Sequence, residues 1–269
     1  MIIDFHTHVF PSAIAEKTIN ALQAKSNSTP YTNGTVEGLL QNMKNAGVDI
    51  SVALPVLTKP TQFESVFNFA KSINEQFAFT KEKIISFAGM HPYAENIEQK
   101  MALIKENGFK GVKIHPDYQA TDINDERYIK ILKCAKENDL IVVTHSGVDD
   151  GFPNEPVRCS AEMVAKVIDK VNHDKFVLAH YGANRQWEKA LELLAGKNVY
   201  FDTAYTFENI DREIFIKILE KHDTDKILFA TDCPWQDMKI NLKELYSYGL
   251  DPVMLDKILY KNARKLLRL

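Results

Sequence analysis

Short apolar runs rich in β-branched residues alternate along the chain with longer segments whose apolar positions recur every three or four residues. The first run, residues 1–8, reads as a strand, and helical patterns follow at 12–25 and 36–46. Thr35 is placed to cap the second of these helices, Glu37 lies in its first turn and Gly47 ends it. Residues 26–34 between them are polar, as in a loop. Further strands are expected at 49–56, 84–90, 111–114, 140–144, 175–179, 199–203 and 227–231. Helices are expected at 61–80, 96–107, 125–138, 160–171, 186–194 and 209–221. Several strand runs, such as LIVVT at 140–144 and KFVLA at 175–179, are apolar almost throughout, which suits parallel strands covered on both faces.

Eight strands, each followed by a helix, predict an α/β fold of the (β/α)8 or TIM-barrel type, formed as one distorted domain over 1–269. The competing architecture, a doubly wound open sheet, would need a glycine-rich turn after the first strand. That strand ends in Asp4-Phe5-His6-Thr7-His8 instead.

The barrel reading gives the polar residues a common address, because catalytic groups of such barrels sit at the C-terminal ends of strands. His6 and His8, His91, Lys113 and His115, His145, His180, Asp202 and Asp232 all fall at predicted strand ends. Six of the eight histidines therefore gather at one end, while His173 and His222 fall at the other. Strand alternation places Asp4, His6 and His8 on one face and Ile3, Phe5 and Thr7 on the other, so two imidazoles would converge. Three histidines and a carboxylate suit a zinc-like ion with an open position for water. Asp232 is placed both to touch that ion and to handle the water's proton.

Composition narrows the setting more than the chemistry. At 269 residues, 45% hydrophobic and 26% charged, the chain is long enough for one large core. A formal net charge of -3 offers no basic footprint for nucleic acid. The N-terminus lacks a secretory pattern and no run approaches a membrane span, so a cytoplasmic protein with no membrane partner is expected. Cys134, Cys159 and Cys233 are scattered without CxxC spacing, as buried reduced thiols would be.

Six motifs then stand in order: IDFHTHVFP at 3–11, GVKIHP at 111–116, VVTHSG at 142–147, VLAHYG at 177–182, FATDCPW at 229–235 and YKNARKLL at 260–267. Together they resemble the amidohydrolase superfamily, specifically its amidohydrolase-2 branch, which also includes metal-dependent decarboxylases. The resemblance implies a metal held by His6, His8, His145 and Asp232. Zn2+ is the expected ion, one per chain, with another divalent ion as the alternative. His180 is left with two roles, a second-metal ligand or an unligated catalytic group that polarises substrate or shuttles a proton. Lys113 resembles the position of a carbamylated bridging lysine, although an unmodified side chain is favoured, with His115 contacting substrate or supporting the site.

Around this centre, His91, Tyr118, Tyr181, Arg185, Tyr205 and Trp235 are expected to contact a small-molecule substrate, Arg185 as a clamp for a carboxylate. Trp187 and residues 152–156 are expected to cover the mouth. The activity expected is hydrolysis of an amide, ester, lactone or related bond. The alternatives are non-oxidative decarboxylation of an aromatic or unsaturated acid and, in another class, a non-catalytic metal-binding protein. A homo-oligomer is compatible with all three.

Overall fold

A computed structural model describes residues 1–80 and 83–269. The strands are β1 (Ile3–Thr7), β2 (Ile50–Ala53), β3 (Lys83–Ser86), β4 (Ala88–Gly89), β5 (Gly111–Ile114), β6 (Ile141–Thr144), β7 (Phe176–Leu178), β8 (Tyr200–Asp202) and β9 (Ile227–Leu228). Among the described residues all pairings between them are parallel, in two sheets ordered β1-β2-β3 and β4 through β9. The helices between them are α1 (Ser12–Ser26), α2 (Val36–Ala46), α3 (Phe63–Gln76), α4 (Ile97–Glu106), α5 (Glu126–Glu137), α6 (Ala161–Val171), α7 (Trp187–Leu193) and α8 (Arg212–Lys221). After β9 come α9 (Met238–Ser247), α10 (Pro252–Asp256), a π-helical turn (Lys257–Lys261) and α11 (Asn262–Leu267).

Two seams distort the barrel. The strand expected at 84–90 is broken at Phe87, so its first half pairs with β2 and its second with β5. The strand expected at 227–231 pairs with β8 only over Ile227–Leu228, because the next N–H on that edge, that of Ala230, donates to the Thr203 side-chain oxygen at 2.9 Å instead of to a backbone carbonyl. On its other edge the same segment bonds to β1: Phe5 N donates to Phe229 O, Asp232 N to His6 O and His8 N to Cys233 O. The helix expected at 61–80 begins as a 3-10 turn at Pro60–Gln62 and ends at Gln76. The one expected at 209–221 begins at Arg212, where the Asp211 side chain accepts from the N–H groups of Glu213 and Ile214.

The core has two layers. Between strands and helices lie residues such as Val112, Ile114, Leu132, Val164 and Phe215. Inside the ring, Ile3, Phe5, Val52, Phe87, Val143 and Val177 pack together, and Ala263, Leu266 and Leu267 of α11 join them. The motif YKNARKLL thus supplies packing at the end away from the histidines. No helix among the described residues is long and apolar enough to cross a membrane.

Candidate metal and catalytic site

The site begins with an irregularity in β1. The pairing of β1 with β2 shifts register between Asp4 and Thr7, and a shift of one residue exchanges the faces of a strand. Ile3 and Phe5 accordingly face the inner core, while His6 and His8 still converge, with ring centroids 5.0 Å apart. Asp4 does not join them, contrary to simple alternation. Its carboxylate accepts from Thr231 N at 3.1 Å and Thr231 Oγ1 at 2.5 Å, which fastens β1 to the segment carrying Asp232. Burial pushes the Asp4 pKa up to about 7 despite those bonds.

The two imidazoles meet Asp232. His8 Nδ1 lies 2.8 Å from the Leu54 carbonyl and His8 Nε2 lies 3.0 Å from Asp232 Oδ1. A carbonyl only accepts, so Nδ1 carries the proton, and in the neutral ring Nε2 presents a lone pair to a carboxylate oxygen. A neutral ring and the carboxylate would share a cation there, whereas a protonated ring would donate to Asp232 directly. His6 repeats the arrangement: Nδ1 is 2.9 Å from Asp202 Oδ2, and Nε2 is 3.4 Å from Asp232 Oδ1. Burial and then the charge of Lys113 hold the His6 pKa well below its usual value, so its ring is neutral. His6, His8 and Asp232 can offer three ligand atoms within 4.8 Å of one another. This donor set, neutral nitrogens oriented from behind plus one carboxylate, fits a divalent ion.

Lys113, the fully buried β5 lysine, donates from Nζ to His6 Nε2 at 3.0 Å. Burial lowers its pKa to about 8, opposed by the charges of Asp202 and Asp232. Asp202 connects the halves of the site, because Oδ1 accepts from the His180 and Ala204 N–H groups at 3.0 and 3.1 Å while Oδ2 faces His6. The sequence marked Asp202 only as a strand-end residue.

His180 and Asp232 both adopt positive φ, 61° and 69°. Such backbone costs about 1–3 kcal/mol per residue, persists where surroundings dictate it, and clusters at functional sites. Here the Asp202 carboxylate holds the His180 N–H, and the His6 carbonyl holds the Asp232 N–H. His180 Nδ1 donates to Ala204 O at 2.9 Å, which leaves Nε2 as acceptor for His145 Nδ1 at 3.0 Å. Gly147, two residues after His145, has φ of 89° and lies so close to Asn184 that a Cβ would come within 2.1 Å of its nitrogen.

His145, the fourth ligand implied by the sequence resemblance, groups with His115 and Asp149 rather than with His6, His8 and Asp232. His115 and His145 are stacked, with centroids 4.5 Å apart and planes at 9°. Lone pairs lie in the ring plane, so two nearly parallel stacked rings do not aim at one ion. The cluster is instead a buried polar network in which His145 Nε2 and Asp117 Oδ2 lack hydrogen-bond partners. His115 Nε2 is 3.4 Å from Asp149 Oδ2. Burial raises Asp117 to about 6 and Asp149 to about 7. Neither aspartate had a motif to announce it, since both follow strand ends in turn-like sequence.

A cavity of about 430 Å³ opens over these groups. Its lining includes His6, His8, Lys113, His115, His145, His180 and Asp232, together with Tyr118, Tyr205 and Trp235. Other expected contacts lie elsewhere. His91 curls onto its own turn, where Nδ1 accepts from Tyr93 N at 3.1 Å, and does not line the cavity. Tyr181 is fully buried, because successive positive φ values at 180 and 181 turn its ring outward onto Phe215 at 4.5 Å. Arg185 is already bidentate to Asp150, at 2.9 Å for both bonds, so its fork is committed to a protein carboxylate. Trp187 is buried and donates to the His180 carbonyl at 3.0 Å instead of covering the mouth. Phe152 meets Tyr118 edge to face, at 4.9 Å.

Comparison with known proteins bears on the fold and the family. No curated protein matches the chain. Solved structures with the same fold include 2,6-dihydroxybenzoate decarboxylase from Rhizobium, at 16% identity and a TM-score of 0.68 over 99% of this chain and 98% of that one. A dihydroxybenzoic acid decarboxylase from a Polaromonas species, with bound manganese and 2-nitroresorcinol, matches at 15% identity and 0.70 over 100% and 97%. A 5-carboxyvanillate decarboxylase from Novosphingobium aromaticivorans, also with manganese, matches at 11% identity and 0.73 over 100% and 97%. At such identities the likeness is one of fold. The amidohydrolase family model Amidohydro_2 matches residues 3–269, so the chain belongs to that family.

Proposed function

We propose that this protein is a divalent-metal-dependent hydrolase that cleaves an ester, amide, lactone or related bond of a small molecule. The observation that carries the reading is the convergence of His6, His8 and Asp232, whose ligand atoms lie within 4.8 Å of one another while Asp202 and Leu54 hold the far nitrogens of the two rings. Zn2+ is the ion we favour from two nitrogens and a carboxylate, with manganese, which two of the decarboxylases of the same fold carry, as the competitor. When bound, such an ion polarises a carbonyl and makes a nearby water acidic enough to ionise near neutral pH.

The chain's own residues supply the rest. Asp232 lines the cavity beside both imidazoles and serves as general base: it takes the water's proton as the O–C bond forms and returns it to the leaving atom as the C–O or C–N bond breaks. Lys113, held by His6, lines the same cavity as a fixed donor for a developing oxyanion, while His180, its Nδ1 donating to Ala204 O and its Nε2 accepting from His145, holds His145 in place beside it. Asp202 keeps His6 in the tautomer whose Nε2 is an unprotonated lone pair, the atom to which Lys113 donates.

A second reading, non-oxidative decarboxylation, is favoured by the decarboxylases that share the fold. There the C–COO bond breaks, CO2 leaves, and protonated Asp232 would deliver a proton to the carbon that keeps the electron pair. The two separate when metal-loaded protein is incubated with a panel of esters, lactones, amides and hydroxybenzoic acids. Acid release without CO2 supports hydrolysis, CO2 release from an acid supports the second reading, and turnover of neither class by loaded protein counts against both.

A further inference from the structure

The cavity is divided by chain segment. Its ionisable groups come from the ends of β1, β5, β6 and β7, from the loop after β6 and from the segment after β9. Its other side is built from residues 9–69, and among the described lining residues of that stretch none is charged. Phe10, Ile14, Leu22, Val56, Val66 and Phe69 supply apolar surface there.

α1 explains how this wall is made. A helix that only covers the core carries one apolar stripe, but α1 carries apolar residues on two. Ala15 and Ile19 are buried toward the body of the protein. Ile14 and Leu22 lie on another face and line the cavity, with Thr18 and Ser26 of the same face adding two uncharged hydroxyl groups. Ile14 stays 50% exposed, and the core accounts for none of that surface. Val66 and Phe69, three apart on α3, add a second helical stripe.

We infer that the substrate is an amphiphile: a polar head reaches His6, His8 and Asp232, and an uncharged apolar group, an alkyl chain or a ring, lies along the α1 and α3 stripes. This rests on the metal-site reading above. Ile14 and Leu22 are then specificity determinants, and a second charged group on the distal part of the substrate is disfavoured because no charged side chain among the described residues lines that wall, the α1 lysine Lys25 being engaged with the Tyr118 and Phe152 rings.

Hydroxamates chelate divalent ions through a constant head, so they separate head from tail. Manganese-loaded protein is titrated calorimetrically with acetohydroxamate, butyrohydroxamate, hexanohydroxamate and benzohydroxamate. Each methylene added should tighten binding about threefold to fourfold, the equivalent of burying a CH2. Ile14→Asp and Leu22→Asp should collapse the ratio of hexanohydroxamate to acetohydroxamate affinity toward one. A steep alkyl series with weak benzohydroxamate assigns a chain, and the reverse assigns a ring. A flat alkyl series in the unmodified protein, with benzohydroxamate bound no tighter than acetohydroxamate, overturns the inference while leaving the metal site standing. If acetohydroxamate itself fails to bind, the metal reading falls, and the wall is read without metal by N-phenyl-1-naphthylamine in chelator-treated protein. Saturable fluorescence enhancement that Leu22→Asp weakens at least tenfold supports the wall, and no enhancement in the unmodified protein refutes it.

Discussion

Asp202 has the most demanding position of any residue near the centre, because its two oxygens serve opposite sides. Oδ1 holds the backbone N–H groups of His180 and Ala204, and Oδ2 holds His6 Nδ1. Asp202→Asn keeps the shape but must turn an NH2 toward one side. Facing the backbone it would meet two donors, so it would face His6, driving the proton onto Nε2, where it blocks ligation. Divalent-ion affinity should fall about 10- to 100-fold by calorimetry with the circular dichroism unchanged; an unaltered Kd would remove Asp202 from the account. Asp232→Asn probes a different quality. Its carbonyl oxygen can still coordinate while no base remains, so turnover should drop at least about 100-fold with most of the metal retained. Near-normal turnover would move proton transfer to His180. At this scale the sequence displayed His6, His8 and Asp232 because strand-end position and ligand chemistry coincide there. It did not display that Asp4 leaves their face, since a register shift carries no composition signal, nor that Asp150 occupies Arg185.

Among the elements, those fixed by local chemistry were readable. Thr35 and Gly47 bound α2 as expected, its side chain accepting from Gly38 N and the glycine taking a left-handed φ of 74°. β9 was overestimated, since the group that takes the next N–H on its β8 edge is a side chain, Thr203 Oγ1, and a strand pattern does not reveal such a substitution. The loop between α8 and β9 carries a prediction of its own. His222 accepts from Gly196 N and donates to Val199 O at 3.1 Å in each case, stacked on Phe201 at 4.1 Å. Burial lowers its pKa from 6.5 to about 4. The unfolded chain therefore binds this proton first on acidification. The stability held by the neutral ring is complete above about pH 6.5 and lost as pH falls toward about 4, on the order of 3 kcal/mol in all. His222→Gln should make the acid limb of stability against pH shallower by about one proton in that window, measured by urea unfolding. Identical slopes for the two proteins would mean that His222 is already charged when folded.

For the molecule as a whole, the βα alternation made the barrel legible from hydrophobic period alone, and the family followed from six motifs in order. The apolar half of the cavity was not legible, because a helix with two apolar stripes looks weakly amphipathic along the sequence. The central claim is a divalent ion held by His6, His8 and Asp232, and elemental analysis of purified protein addresses it most directly. The account predicts about one zinc or manganese ion per chain, or full uptake of one after incubation and desalting, and a fall to background in the His6→Ala/His8→Ala double variant with folding preserved. Wild-type protein that takes up neither ion, or a double variant loaded as fully as the wild type, would contradict it.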